Sequence, residues 1–156
     1  MSLFTDASLI GNFNYAHSFC GAGRALDRLD WEDRETHSDS PAEFLYWHSI
    51  ELFLKAYLLA DGMDLKTLRS RDYGHDLAVL TAEAKKRGLQ LTSKDEGLIS
   101  FMPTTADMID LRYLKVGVKT VPEFFEIEAT CASLYSLVGA ELKARGIGIG
   151  FHAGRI

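Results

Sequence analysis

The amino-acid sequence predicts an all-α fold, an up-and-down antiparallel bundle of about five helices. Its long segments carry apolar residues at the spacing of one helix face, and the alternation typical of strands is scarce. Only three prolines occur, and helix start and stop signals separate the long segments. Short links between long helices favour antiparallel neighbours in a bundle. We therefore expect a single helical domain at 1–146, followed by a flexible glycine-rich tail at 147–156.

The composition limits the classes of function. A chain of 156 residues can bury a substantial core in one domain. Its net charge of −5 and its lack of a dense Lys/Arg cluster argue against broad attraction to nucleic acid, although a local basic cleft stays open. Cys20 and Cys131 lack metal-binding or redox spacing, which predicts free thiols in a reducing cytoplasm. We see neither a signal peptide nor a charge-free apolar run of membrane-spanning length, and expect a cytoplasmic protein without a membrane segment.

The second predicted helix, at 41–60, has the clearest boundaries. Ser40 is the predicted N-cap, Pro41 fits the first helical position, and Glu43 completes a capping box by reaching back to the Ser40 N–H. Gly62 is a natural C-terminal stop, since glycine readily adopts the left-handed conformation that ends many helices. This stretch is therefore the firmest structural prediction from the sequence.

Two further helices flank it along the chain. The first is predicted at 8–30, and the third at about 76–87 with Gly88 ending it. A polar connection at 64–73 links the second and third helices and includes room for one helical turn. The apolar face of the first helix comprises Leu9, Phe13, Ala16, Phe19, Cys20, Leu26 and Leu29.

The last two helices begin at start signals. Ser93 and Glu96 form a second predicted capping box and open the fourth helix at about 94–112. Pro103 is expected to kink or split that helix. The fifth helix runs to about Arg145. Its continuous apolar stripe comprises Phe124, Ile127, Cys131, Leu134, Leu137, Val138 and Leu142.

A row of polar side chains runs along the second helix, which is otherwise apolar on nearly every face. His48, Glu51 and Lys55 are spaced three and then four residues apart, so they share one face. A helix that is apolar almost all round lies at the centre of its bundle, where charges must be paired. The row fits a structural seam that sets helix register. It fits equally a cleft or dimer interface that binds a phosphate or nucleotide, with Lys55 as the anion contact and His48 as a neighbouring donor.

Two other places hold candidate residues. Asp76 suits the first turn of the third helix, and His75 beside it could bond to the polar row or project into a pocket. Arg112 suits the last turn of the fourth helix, where Asp107 or Asp110 could pair with it. We find no metal-ligand spacing, no cofactor motif and no Ser/His/Asp arrangement, and we predict neither a metal nor a cofactor.

The second helix followed by Gly-His-Asp-Leu resembles the HEPN family of small all-helical prokaryotic domains, over roughly residues 8–143. This resemblance implies a bundle of antiparallel helices that is usually a homodimer. Family members pair with nucleotidyltransferases in toxin–antitoxin systems, bind nucleotides, or act as metal-independent ribonucleases. The matching residues are Tyr15, Ala16, Phe19, Ala22, His48, Glu51, Lys55, Ala56, Leu58, Leu59, Gly62, His75, Asp76, Leu77, Leu80, Arg112 and Tyr113.

The ribonuclease branch of that family carries an arginine and, after a short gap, a histidine near the start of the last helix. The arginine would stabilise the phosphate and the histidine would transfer a proton during attack by the ribose 2′-OH. Arg112 lies near the expected place, but residues 113–119 contain no histidine. The resemblance therefore supports the family's fold for this chain more directly than it supports ribonuclease activity.

Two other arginine–histidine pairs meet the spacing, Arg69 with His75 and Arg145 with His152. The second pair falls in the glycine-rich tail, where rigid preorganisation is not expected. The catalytic candidates are thus Arg69, His75 and Arg112. The predicted ligand-binding set is His48, Glu51, Lys55, His75, Asp76 and Arg112.

Three functional hypotheses follow. The first is a HEPN-like homodimeric domain that binds a nucleotide, RNA or partner protein through a polar cleft, in a toxin–antitoxin or stress/defence system with a possible nucleotidyltransferase partner. The second is a metal-independent endoribonuclease toxin. The third is a non-catalytic interaction module in which the polar row only sets packing.

Overall fold

A computed structural model describes residues 3–102, 104–113 and 120–149, with side chains from Ser8 onward. Within these ranges every regular element is a helix, which confirms the predicted all-α bundle. A short 3-10 helix at Trp31–Asp33 links the first two α-helices. The α-helices are α1 (Leu3–Asp27), α2 (Ser40–Ala60), α3 (Leu65–Leu68), α4 (Leu77–Lys86), α5 (Ser93–Ile99), α6 (Thr105–Asp110) and α7 (Phe124–Ala144).

Helix α2 is the centre of the bundle. It packs most extensively against α1, and also against α7, α4 and α6. Four of its aromatic side chains, Tyr46, Trp47, Phe53 and Tyr57, are at most 1% exposed. Burial of side chains of this size contributes about 1.5–3 kcal/mol each. The central position expected from its apolar circumference is therefore found, and the polar row of α2 lies in the middle of the fold.

Helix α1 packs closely along α2. A Cβ atom at Gly23 would lie 3.3 Å from the ring of Tyr46, so a glycine there lets the two helices approach. Leu29, predicted on the apolar face, is exposed because α1 ends at Asp27 and the chain turns away. The buried side chains of α1 are Leu9, Phe13, Ala16 and Cys20.

The predicted N-cap of α2 is wrong. Ser40 is already the first helical residue, and Asp39 occupies the N-cap without a side-chain cap bond. With Asp39 at the N-cap, Glu43 is the fourth helical residue and not the third, the position that a capping box requires. Its Oε1 accepts a hydrogen bond from Nε1 of Trp47, one turn later in the same helix, at 3.3 Å. Glu43 thereby supplies the acceptor that the buried indole N–H needs.

Glycines end α2 and α4 as predicted. Gly62 has φ of 90° and Gly88 has φ of 108°, the left-handed region that side chains with a Cβ disfavour. In both places the next residue bonds back across the helix end. The Met63 N–H donates to the Leu58 carbonyl at 2.9 Å, and the Leu89 N–H donates to the Ala84 carbonyl at 3.0 Å.

The capping box of α5 lies one residue earlier than predicted. Thr92, not Ser93, is the N-cap: its Oγ1 accepts the Asp95 N–H at 3.1 Å, and the Asp95 carboxylate accepts the Thr92 N–H at 3.2 Å. Glu96 has no part in the cap. The same Asp95 oxygen accepts a hydrogen bond from Ser133 on α7 at 2.8 Å. This contact between helices holds the register that puts Asp95 at the third helical position.

The described residues form seven α-helices instead of the predicted five, because the predicted fourth helix divides and a short helix forms in the predicted polar connection. The predicted fourth helix ends at Ile99 and restarts as α6, where Thr104 is the N-cap and its Oγ1 accepts the Asp107 N–H at 3.2 Å. Pro103, the predicted point of division, lies outside the described residues. The polar connection before His75 contains α3, a single turn capped by Asp64.

Helix α7 covers one side of α2 with its predicted apolar stripe, although Phe124 and Leu137 are only half-buried. Beyond the helix, Ile147 and Ile149 still pack against the core. Residues 150–156, which include His152, lie outside the described part of the chain. The predicted flexibility of that end therefore stays a prediction.

Asp61 joins three helix ends. Its carboxylate lies 3.0 Å from Nη1 of Arg87 and 3.0 Å from Nη1 of Arg145, at the C-termini of α4 and α7. Arg145 also donates to the Ala60 carbonyl at 2.9 Å. Burial raises the pKa of Asp61, but the two guanidinium groups outweigh it and hold that pKa below its ordinary value.

None of the helices in the described ranges is long and apolar enough to cross a membrane.

The position of the α5 cap can be tested by two adjacent substitutions. Thr92→Ala removes the side chain that accepts the Asp95 N–H, and should lower the free energy of unfolding by about 1 kcal/mol. Ser93→Ala, at the exposed next residue, should change it by less than about 0.5 kcal/mol. Chemical denaturation measures both values. A larger loss in Ser93→Ala would contradict the observed cap.

Candidate functional site

The polar site is built around Glu51, which lies in the middle of α2 with 1% of its side chain exposed. Lys55, one turn later on the same helix, places its Nζ 2.7 Å from Oε1 of Glu51. Nδ1 of His75 lies 3.0 Å from both carboxylate oxygens. A buried carboxylate needs such donors, because an unpaired charge in the interior is strongly unfavourable. The polar row of α2 and His75 thus form one cluster across two elements.

The pKa of Glu51 reflects two opposed effects. Burial raises it, since the interior disfavours the charged carboxylate. The contacts with His48 and His75 and the positive charge of Lys55 outweigh burial and hold the pKa well below its ordinary value of 4.5. Glu51 is therefore ionised throughout the physiological pH range.

The charge of Glu51 sets the tautomer of His75. An ionised carboxylate can only accept hydrogen bonds, so Nδ1 of His75 must carry a proton and donate it to Glu51. Nε2 is then left to accept a proton, or to donate one when the ring is charged. A short segment positions the ring: the Gly74 N–H donates to the Ser70 carbonyl, and Asp76 caps α4 by accepting the Val79 N–H at 2.9 Å.

His48 is held mainly by aromatic rings. Its Nδ1 lies 3.5 Å from Oε2 of Glu51, within reach of an ion pair but without hydrogen-bond geometry. Its ring stacks on Phe44 at 5.5 Å and meets the edge of Phe19 at 4.6 Å. His48 is therefore a weaker partner of Glu51 than His75 is, and packing fixes its orientation.

The cluster opens into a cleft of about 400 Å³. Glu51 is enclosed at its floor, whereas the side chains of Lys55, His48 and His75 are 14%, 20% and 35% exposed. This volume falls within the range of small-molecule sites. Besides the cluster, the cleft is lined by Ser8, Gly11, Asn12 and Tyr15 of α1, Leu52 of α2, and Leu65, Leu68 and Arg69 of α3 and its C-cap.

The contribution of α1 to the cleft was missing from the prediction. Ser8, Gly11, Asn12 and Tyr15 follow the i, i+3, i+4, i+7 spacing of one helix face. This helical spacing of small and polar residues with Tyr15 was the available signal. The sequence cannot tell which neighbour such a face meets, because that depends on how α1 packs along α2.

Two predicted ligand-binding residues lie outside this cleft. One carboxylate oxygen of Asp76 caps α4 by accepting the Val79 N–H. Arg112 follows α6 and is exposed, and its guanidinium lies 5.4 Å from the centre of the Phe44 ring. Arg112 is therefore linked to the cluster only through the stacked rings of Phe44 and His48. Asp107 caps α6 instead of pairing with Arg112.

Arg69 does reach the cleft. It is exposed and makes no ion pair with any described residue. The structure thus brings both members of the Arg69/His75 pair into one cavity.

In the part of the chain that the structure describes, no group of three His, Cys, Asp or Glu residues is arranged to hold a metal ion.

Comparison with models of protein families, with curated proteins and with solved structures finds no match for this chain. The resemblance to the HEPN family therefore stays an expectation that depends on the matched residues.

Removal of the central charge should destabilise the fold in a pH-dependent way. Glu51→Gln breaks the pairing of a buried carboxylate and should lower the free energy of unfolding at neutral pH by about 3 kcal/mol. Since the pKa of Glu51 is lower in the folded chain, its contribution is complete above about pH 4.5 and is lost as the pH falls below that value. Denaturant titrations across this range should show the gap to wild type closing.

Glu35→Gln provides a matched control, because Glu35 is an exposed loop residue. It should leave stability nearly unchanged at every pH. A Glu51→Gln variant whose deficit stays constant between neutral pH and pH 3 would contradict the assigned role of the Glu51 charge.

Proposed function

We propose that this chain is a HEPN-like helical domain whose polar cleft binds a phosphate-bearing ligand, a nucleotide or RNA. The observation that carries the proposal is the guanidinium of Arg69, which makes no ion pair with any described residue and lines the same cleft as a neutralised Glu51–Lys55 pair. An anion entering the cleft therefore meets Arg69 without having to displace an ion pair between that side chain and a described residue. Glu51 and Lys55 are already paired with each other, so they hold a fixed geometry before a ligand enters.

The charges of the cleft favour an anion although the whole chain is acidic. Among the described lining residues, the two cations Lys55 and Arg69 exceed the one carboxylate, Glu51, by one positive charge. The whole chain has a net charge of −5, so most of its surface does not attract phosphate. The positive charge of the cleft favours phosphate binding at that site alone.

The aromatic side chain of Tyr15 favours a ligand that carries a nucleobase as well as a phosphate. Tyr15 lines the cleft and is 65% exposed. Exposed aromatic rings next to cationic groups are typical of sites where bases stack while phosphates are neutralised. The combination of Tyr15 with Arg69 and Lys55 supports a nucleotide more than a simple inorganic anion.

The biological setting is proposed from the family resemblance. A HEPN-like domain with this cleft would act as a cytoplasmic homodimer in a toxin–antitoxin or stress/defence system, with a nucleotidyltransferase as a possible partner. In such an assembly the cleft would receive a nucleotide, or an RNA segment presented by the partner. The cleft chemistry supports the ligand class, and the resemblance supports the partner.

Two arginines of the same segment allow a matched test. Arg69→Ala should weaken the binding of a fluorescein-labelled oligoadenylate, or of ATP, by about tenfold, because one charge-assisted phosphate contact is lost. Arg71→Ala removes an equal charge from an exposed residue that does not line the cleft, and should weaken binding by less than about twofold. Fluorescence anisotropy and calorimetry measure the two ligands.

The salt dependence separates a specific contact from general charge. In Arg69→Ala the slope of log K against log salt for the oligonucleotide should fall by about one unit. Equal losses in the two variants, or no binding by the unmodified chain, would remove the cleft as the ligand site.

The second candidate function is a metal-independent ribonuclease, and the Glu51–His75 contact favours it. A carboxylate that orients an imidazole through Nδ1 leaves Nε2 available to accept a proton, the arrangement of a general base. His75 would take the proton of the ribose 2′-OH as that oxygen bonds to phosphorus, and the 5′-oxygen would leave with a proton from water. Arg69 would stabilise the charge that develops on the phosphate.

This second function predicts cleavage of single-stranded RNA in the presence of a metal chelator. His75→Ala should abolish cleavage, whereas His37→Ala, at an exposed loop residue, should retain it. Circular dichroism of both variants establishes that the helical fold is kept. Cleavage that persists in folded His75→Ala would exclude His75 from the reaction.

A further inference from the structure

A second concave surface lies between α5 and α7, away from the polar cleft. It is a groove of about 540 Å³ and shares no lining residue with that cleft. Its volume also falls within the range of small-molecule sites. We call it the α5/α7 groove; its lining includes Asp95, Leu98, Phe101, Phe125, Ala129 and Thr130.

The walls of the α5/α7 groove are apolar. Phe101 and Phe125 are 48% and 68% exposed, although both are large aromatic side chains. Leu98 and Ala129 extend the apolar surface between them. Exposed apolar surface gathered into one concavity is more typical of a binding site than of an ordinary surface, where such residues are scattered singly.

The floor of the groove holds an acceptor that the fold does not use. Asp95 is 3% exposed, and its Oδ2 accepts hydrogen bonds from the Thr92 N–H, the Thr92 hydroxyl and the Ser133 hydroxyl. Its Oδ1 accepts none from the described residues. The capping box and the contact with α7 therefore account for only one of the two carboxylate oxygens.

Thr130 provides a second unused polar group on the floor. It is 4% exposed, and its hydroxyl makes no hydrogen bond with the described residues. Neither this hydroxyl nor Oδ1 of Asp95 is among the unpaired polar atoms sealed in the interior, which are Nδ1 of His48 and Oγ1 of Thr81. Since Thr130 and Asp95 both line the groove, these two oxygens are open to it.

The charges of the groove favour a cation. Among its described lining residues, Lys94 and Glu126 carry opposite charges, which leaves the negative charge of Asp95 uncompensated. A carboxylate oxygen and a hydroxyl beneath aromatic walls match a ligand with an apolar body that ends in N–H donors. We propose that the α5/α7 groove is a binding site for a small aromatic amine, whose ammonium group donates to Asp95 and Thr130 while its ring packs between Phe101 and Phe125.

A pair of probes of opposite charge tests this site. Titration with 2-phenylethylamine should produce saturable amide shifts in NMR spectra, confined to residues 92–101 and 125–133. The matched acid 3-phenylpropionate has a similar apolar body but a carboxylate end, and should bind at least about tenfold more weakly.

Two variants of α7 locate the site. Ala129→Leu places additional bulk in the groove and should abolish saturable binding of the amine. Ala132→Leu makes the same change at an exposed residue of α7 that does not line the groove, and should leave the affinity unchanged. Neither variant touches the cap of α5, so both are expected to fold.

Asp95→Asn tests the charge while keeping the shape of the side chain. It should weaken binding of the amine by at least about tenfold. Equal affinities for the two probes, unchanged affinity in Ala129→Leu, or the absence of saturable shifts would each overturn the proposal. Arg69→Ala should have no effect on amine binding, so the outcome is independent of the ligand of the polar cleft.

Discussion

The need of a buried carboxylate for hydrogen-bond donors organises the middle of this bundle. Glu51 lies on α2, the helix that the other long helices surround, and almost none of its side chain reaches water. A charge there is tolerated only if donors converge on it. Lys55 supplies one from the same helix, and His75 supplies another from the segment before α4. The position of that segment, and with it the start of α4, is thereby tied to α2.

Three other carboxylates also bind donors from a second helix. Each of these contacts fixes the relative position of two helices more specifically than apolar packing alone would. Asp61 receives Arg87 and Arg145, and so ties the C-terminus of α2 to those of α4 and α7. Asp95 joins the start of α5 to Ser133 of α7. Glu128 of α7 receives Arg24 of α1 at 2.5 Å. Apolar packing supplies most of the stabilisation, and these contacts set the register of the helices.

The two concave surfaces differ in which polar group lacks a partner among the described residues. In the polar cleft the buried carboxylate is neutralised by its neighbours, and the spare group is the cation Arg69. In the α5/α7 groove the carboxylate of Asp95 accepts hydrogen bonds only from hydroxyl and amide groups of the described residues, and one of its oxygens accepts none from them. The first surface is suited to an anion and the second to a cation. Two buried acidic residues thus produce opposite ligand preferences because their partners differ in charge.

The periodicity of the sequence was sufficient for the all-α class, the central place of α2, and the stops at Gly62 and Gly88. These features depend on residues close together in the chain: apolar spacing along one helix, and a backbone conformation that glycine adopts easily. The row of His48, Glu51 and Lys55 was visible for the same reason, since it lies on one helix.

Tertiary structure decided the features that depend on a partner distant in sequence. The cap of α5 moved to Thr92, where Asp95 meets Ser133 of α7. It also decided that Arg69 and α1 complete the cleft while Arg112 stays outside it. The sequence determines which side chains need a partner, because burial and charge can be read from local pattern. Which partner each one finds is decided only when the helices pack, because several donors and acceptors compete for each position.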